Sequence, residues 1–156
     1  MATSALRAAH PHRVAYRRIV VPLATDDDSD AGVSLAAELA AEAHASITAV
    51  VVIEIPAELP LDAHMEDEEE AARTVLERAH AIAGQYGVRL RERVVRSRAQ
   101  GEAIVAEAEA VGAELIVMWA QRTERLGSRA RLFDKTVEYV LRHAACRVLV
   151  AAAARE

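Results

Sequence analysis

Five short runs of β-branched and aliphatic residues alternate with four segments whose apolar residues recur at helical spacing. The runs are RRIVVPL (17–23), SITAVVVIEI (46–55), VRLRERVV (88–95), AELIVMWA (113–120) and CRVLVAAA (146–153). Between them lie DAGVSLAAELAAEAHA (30–45), MEDEEEAARTVLERAHAIAGQYG (65–87), AQGEAIVAEAEAVG (99–112) and DKTVEYVLRHA (134–144). Strict strand–helix alternation with short turns predicts a parallel sheet with helices on both faces. The chain has 156 residues, no sequence repeat and no linker, so one α/β domain is expected.

The run at 46–55 is apolar throughout and stops at Pro56, as a strand buried on both faces should. The run at 88–95 alternates apolar and charged residues, which predicts an edge strand. The first and fourth runs are uniformly apolar and are expected at the centre. Pro22 sits near the end of the first run, where a missing N–H matters least. Asp26, Asp27, Asp28 and Ser29 are candidate N-caps for the first helix, and Asp134 for the fourth. Gly87 and Gly112 are expected helix stops. A five-stranded doubly wound sheet has a switch point beside its first strand. That point would join the turn ATDDDSD (24–30) to the long loop after the fourth strand, and any pocket is expected there.

Composition narrows the function. The formal net charge of −5 argues against general nucleic-acid binding. The lone cysteine, Cys146, excludes an intrachain disulfide and suits the cytoplasm. No apolar run is long enough for a membrane-spanning helix. Residues 1–15 lack acidic residues; a flexible tail is expected, with a transit peptide as the alternative.

No catalytic or metal constellation is legible. The histidines at 10, 12, 44, 64, 80 and 143 have no ligand spacing. There is no G-x-S-x-G elbow, no phosphate loop and no G-x-G-x-x-G. The carboxylates of TDDDSD lack the glycine and terminal glutamate of a calcium loop. No catalytic residue, no metal and no enzymatic activity are therefore expected. The loop after the fourth strand carries Arg122, Arg125, Arg129 and Arg131, followed by Lys135 and Thr136 at a helix start. Guanidinium forks at a helix N-terminus suit an anion. A solvated surface loop, offset by Glu124 and Asp134, is the other reading.

Three pieces of the chain, RRIVVPL, AELIVM and TVEYVLRHAACRVLV, resemble the universal stress protein family over residues 16 to 152. The resemblance implies a three-layer sandwich with a five-stranded parallel sheet in the order 3-2-1-4-5, in a domain spanning 16–156. RLF before the fourth helix and PLDA after the second strand are similar to domains attached to cationic amino-acid permeases, which implies a membrane transporter as a partner class. Many family members bind ATP through an Asp after the first strand and a G-x-x-G…G-[S/T] loop after the fourth. Here Ala24 stands at the Asp position, Trp119 and Arg122 at the first two glycines, and Asp134 and Lys135 at the closing pair. The pocket implied by the resemblance has Pro22, Ala24, Thr25, Val52 and Met118 on the strand side. It has Arg122, Arg125, Arg131, Lys135 and Thr136 on the loop side. No cofactor is expected, because the ATP motif is degenerate. The implied function is a regulatory or binding domain acting as a homodimer through the last strand, at Val148 and Val150. The alternative is a sensor of a nucleotide or other anionic ligand at the basic loop.

Overall fold

The computed structural model describes residues 15–25, 29–120 and 133–152. Apart from Ala15, the expected N-terminal tail lies outside the described residues. So do Asp26 to Asp28 and Arg122, Arg125, Arg129 and Arg131.

The elements run β1 (Arg18–Leu23), α1 (Ser29–Ala43), β2 (Ser46–Glu54), α2 (Glu66–Gln85), β3 (Leu90–Ser97), α3 (Gln100–Ala110), β4 (Leu115–Trp119), α4 (Lys135–His143) and β5 (Arg147–Ala151). They form a five-stranded parallel sheet in the order β3-β2-β1-β4-β5. The order, the central places of β1 and β4 and the edge place of β3 are as the sequence predicts.

Side-chain alternation along the strands makes two cores. Ile19, Val21, Ile47, Ala49, Val51, Leu115 and Val117 face α1 and α2. Val20, Val50, Ile116 and Met118 face α3 and α4. Alanines at 36, 37 and 40 of α1, and at 72, 79 and 83 of α2, bring these helices close to the sheet. The second core is smaller and rests on Ile104, Ala108, Val137 and Val140 of its helices. Each fully buried aliphatic side chain contributes about 1.5–3 kcal/mol.

Two close approaches set helix positions. A Cβ on Gly101 of α3 would lie 2.8 Å from Cβ of Tyr139 on α4, so only glycine lets these helices cross at this spacing. A Cβ on Gly32 of α1 would lie 3.1 Å from Cβ of Trp119 at the end of β4.

Helix ends follow the sequence with one exception. Gly87 and Gly112 adopt φ of 67° and 64°, as left-handed stops after α2 and α3. The helix expected over 30–45 ends at Ala43, because His44 turns left-handed at φ 52°. The amide of Ala45 then donates to the carbonyl of Ala40 at 2.9 Å and closes the turn. β3 begins two residues later than its hydrophobic alternation suggests. Its span is set by parallel pairing with β2 from Leu90–Ile47 to Ser97–Glu54.

Candidate functional site

β1 pairs with β2 along its whole length, to Leu23–Val51, but with β4 only at Ile19–Leu115 and Val20–Ile116. Pro22 lies beyond the last β1–β4 pair, where its missing N–H breaks no bond to β4. A cavity of about 210 Å³ lies at this end of the sheet. Its floor is Val50, Val52, Ile104, Met118 and Val137. Its mouth carries Ala24, Thr25, Gln100, Asp134 and Thr136. This is the switch-point position, outside the carboxyl ends of the strands, where ligands of open α/β sheets bind.

The structure thus gathers Pro22, Ala24, Thr25, Val52, Met118 and Thr136 around one cavity. Lys135 is elsewhere. It lies with Glu138, Tyr139, Arg142 and His143 along a shallow groove on the outer face of α4. The reason is helical geometry: positions 135, 138–139 and 142–143 share one stripe, while Val137 and Val140 on another stripe are buried. The basic stripe expected to converge on the start of α4 therefore loses Lys135. Gln100 and Ile104 were not foreseen, because only tertiary packing carries α3 over the ends of β1 and β2. The Gly101–Tyr139 contact is the sequence signal that could have placed them, since a glycine one residue into a helix marks a close crossing.

Two polar groups at the mouth are occupied. The Asp134 carboxylate accepts a hydrogen bond from the Val137 amide at 2.9 Å, so it caps α4 as its position predicts. A fixed negative charge thereby sits where the helix N-terminus would favour an anion. Ser29 does not act as an acceptor cap for α1. It is the first helical residue, it is buried, and its hydroxyl donates to the Ala24 carbonyl at 2.5 Å. This bond spans the turn between β1 and α1 and uses the one polar group that Ala24 offers besides its amide. Trp119, which stands at the first family glycine, packs its Cβ against Gly32 of α1 on the opposite face of the sheet from Met118. It still borders the cavity.

The loop between β2 and α2 is held by two arginines, Arg96 of β3 and Arg98 just after it. Arg96 donates to the carbonyls of Leu61 (3.0 Å) and Ala63 and to the Glu69 carboxylate (2.7 Å). Arg98 donates to the carbonyls of Ile55 (3.2 Å) and Pro56. The Arg96 hydrogen bond holds the Glu69 carboxyl below the ordinary range. Nothing local in the sequence signals this clamp, since its partners are about 30 to 40 residues apart.

Other reactive groups are muted. Burial raises the Cys146 thiol above its ordinary value, so at neutral pH it stays protonated in a small apolar recess with Val105, Ala108 and Ala113. His143 donates through Nδ1 to the Tyr139 carbonyl at 2.9 Å and stacks on the Tyr139 ring at 4.0 Å. Among the described residues no three His, Cys, Asp or Glu side chains converge as a metal site. No described helix is long and apolar enough to cross a membrane.

A family model described as the universal stress protein family matches residues 15–152. The chain belongs to this family. No curated protein matches it. It is similar to a solved universal stress protein in complex with cAMP, at 24% identity and TM-score 0.70, covering 88% of this chain and 97% of that one. A universal stress family protein from Burkholderia pseudomallei is 29% identical, with TM-score 0.69, over 90% of this chain and 98% of that one. A universal stress protein from Archaeoglobus fulgidus, solved with dAMP, is 21% identical, with TM-score 0.66, over 87% and 98%.

Proposed function

We propose that this universal stress protein domain is a regulatory binding module without catalytic turnover. On this reading its nucleotide site is curtailed, and it acts through self-association and protein contacts. The observation that carries the reading is Asp134, whose carboxylate takes the Val137 amide and puts negative charge where a phosphate chain would sit. Ala24 supports it, having no side-chain acceptor and a carbonyl engaged by Ser29. So does the cavity volume of about 210 Å³, below the ~300–1,000 Å³ of common ligand pockets.

The β5 edge supports self-association, because an apolar edge strand is ordinarily paired or covered. Val148 and Val150 are half-buried against the second core, whereas Leu149 is 37% exposed on the other face. Leu149→Glu is therefore the substitution that probes the edge without disturbing the core. A membrane transporter is the partner class that RLF and PLDA favour. The cytoplasm is the compartment that suits the lone thiol of Cys146.

A second reading is a mononucleotide sensor. The complexes of the relatives with cAMP and dAMP favour it, as do the hydroxyls of Thr25 and Thr136 at the cavity mouth. Melting temperatures across ATP, AMP, cAMP and dAMP at millimolar concentration separate the readings. The first expects no shift with any of them. A saturable rise with the monophosphates alone would replace it with the second. Light scattering checks self-association: a dimer that Leu149→Glu dissociates is expected, and a monomer at every concentration would contradict it.

A further inference from the structure

The sheet face beneath α3 changes character along its length. At the carboxyl ends of the strands it is apolar, with Val50 and Val52 under Ile104. At the amino ends the same face carries Ser46 and Thr48 of β2, Arg18 of β1 and Arg91 and Arg93 of β3, as the strand register requires. A helix-covered face of a parallel sheet is ordinarily apolar. Here α3 leaves the amino ends open, and Arg18, Arg91 and Arg93 are exposed. Above this polar floor opens a groove of about 830 Å³, far larger than the switch-point cavity. Its far wall is Glu107, Ala110 and Val111 of α3, and it runs round the β3 edge to the other face, where His80 and Glu92 pair at 3.1 Å.

Two of the three guanidiniums there have structural work. Arg93 grips Glu107 with two bonds, at 3.0 and 3.3 Å, and so fixes the α3 wall to β3. Arg18 donates from Nε to the Gly112 carbonyl at 2.9 Å, which offsets the negative end of α3. Arg91 is exposed and has no hydrogen-bond or ion-pair partner among the described residues. The hydroxyls of Ser46 and Thr48 likewise have no side-chain hydrogen bond there. In a chain of net charge −5, this leaves an uncompensated guanidinium beside two free hydroxyl donors. A guanidinium fork and hydroxyls together match the acceptor oxygens of a phosphate. The carboxylate of Glu107, held by Arg93, repels a bare polyanion but keeps lone pairs that accept hydrogen bonds from hydroxyl groups.

We propose that this groove is a second binding site, for a small hydroxylated phosphomonoester of sugar-phosphate size. Its phosphate lies on Arg91, Thr48 and Ser46, and its hydroxyls face Glu107. The volume falls within the range of small-molecule sites, ~300–1,000 Å³. The site is separate from the switch-point cavity, and its fate does not depend on the reading of that cavity.

The test is a titration of the full chain with ribose 5-phosphate, followed by amide chemical shifts, with ribose as the uncharged control. Saturable shifts are expected at Ser46, Thr48 and Arg91 and not at Thr25 or Thr136, with ribose inert. Arg91→Gln should weaken binding by about tenfold or more, the loss of one charge-assisted contact. Thr48→Val should weaken it less, and Arg142→Gln on α4 should leave it unchanged. If Arg91→Gln alters the fold, as read from its own spectrum, Thr48→Val carries the test alone. The absence of saturable shifts overturns the proposal. So do shifts centred on Thr25 and Thr136, or affinity unchanged from the wild type in both Arg91→Gln and Thr48→Val.

Discussion

The two faces of the sheet are closed to different degrees. Under α1 and α2, alanine-rich helices lie flat on a continuous aliphatic surface, and the core there is extensive. Under α3 and α4 the core is smaller, with a cavity at the carboxyl ends of the strands and a polar groove at the amino ends. The cause is visible in single residues. Ala36, Ala37 and Ala40 let α1 settle closely on the sheet, whereas α3 and α4 are braced against each other through Gly101 and Tyr139. Tightly packed helix faces make the fold rigid, and faces held apart leave space of ligand size. Function in this domain is therefore sought on the α3/α4 face.

The sharpest break of that contrast is a matched pair of truncations. Ile47→Ala on the closed face should cost about 4 kcal/mol, near the upper part of the range for buried isoleucine. Ile104→Ala borders an existing cavity, where the surroundings relax more easily, and should cost nearer ~2–3 kcal/mol. Urea unfolding measures both, and equal losses would remove the contrast. Gly101→Ala should cost about 1–3 kcal/mol, because the new methyl meets Tyr139 at 2.8 Å. Adding Tyr139→Ala removes the Cγ and Cδ1 contacts but keeps Cβ at 2.8 Å, so it should relieve the Gly101→Ala step in part. A double-mutant cycle without coupling would mean that this contact does not set the helix spacing.

Smaller effects probe the rim of the cavity. Asp134→Ala should cost about 1 kcal/mol through the lost cap, and Asp134→Asn only a few tenths. The same loss in both would show that charge at the helix start, rather than capping, is what matters. The Arg96–Glu69 pair should give the smallest signal. The folded carboxyl titrates below its ordinary value of 4.5. Its contribution is therefore complete above that pH and is lost as pH falls through the lowered native value. Glu69→Gln should flatten this segment of the stability–pH curve. An unchanged curve would dissociate the clamp from stability.

The sequence carried the fold well and the site only in part. The central places of β1 and β4, the edge place of β3, the Asp134 cap and the glycine stops are local or alternation signals, and short stretches state them, while the full strand order followed from the family resemblance. His44 escaped because a left-handed histidine looks like any helical residue until the next strand fixes the chain direction. The Arg96 clamp and the arrival of Gln100 at the cavity depend on distant partners. Lys135 was misplaced because its nearness to Thr136 in sequence conceals a 100° turn of the helix between them. Alternation on an edge strand gives two faces and no indication of which one is covered; Val148 and Val150 lie on the face packed against the second core.

The most direct measurement is calorimetric titration of Mg·ATP into the wild-type chain and into the double substitution Ala24→Asp with Asp134→Gly. The expected result is no saturable heat from the wild type at low-millimolar ATP and measurable binding by the double variant. Micromolar binding of ATP by the wild type would contradict a site curtailed by Ala24 and Asp134.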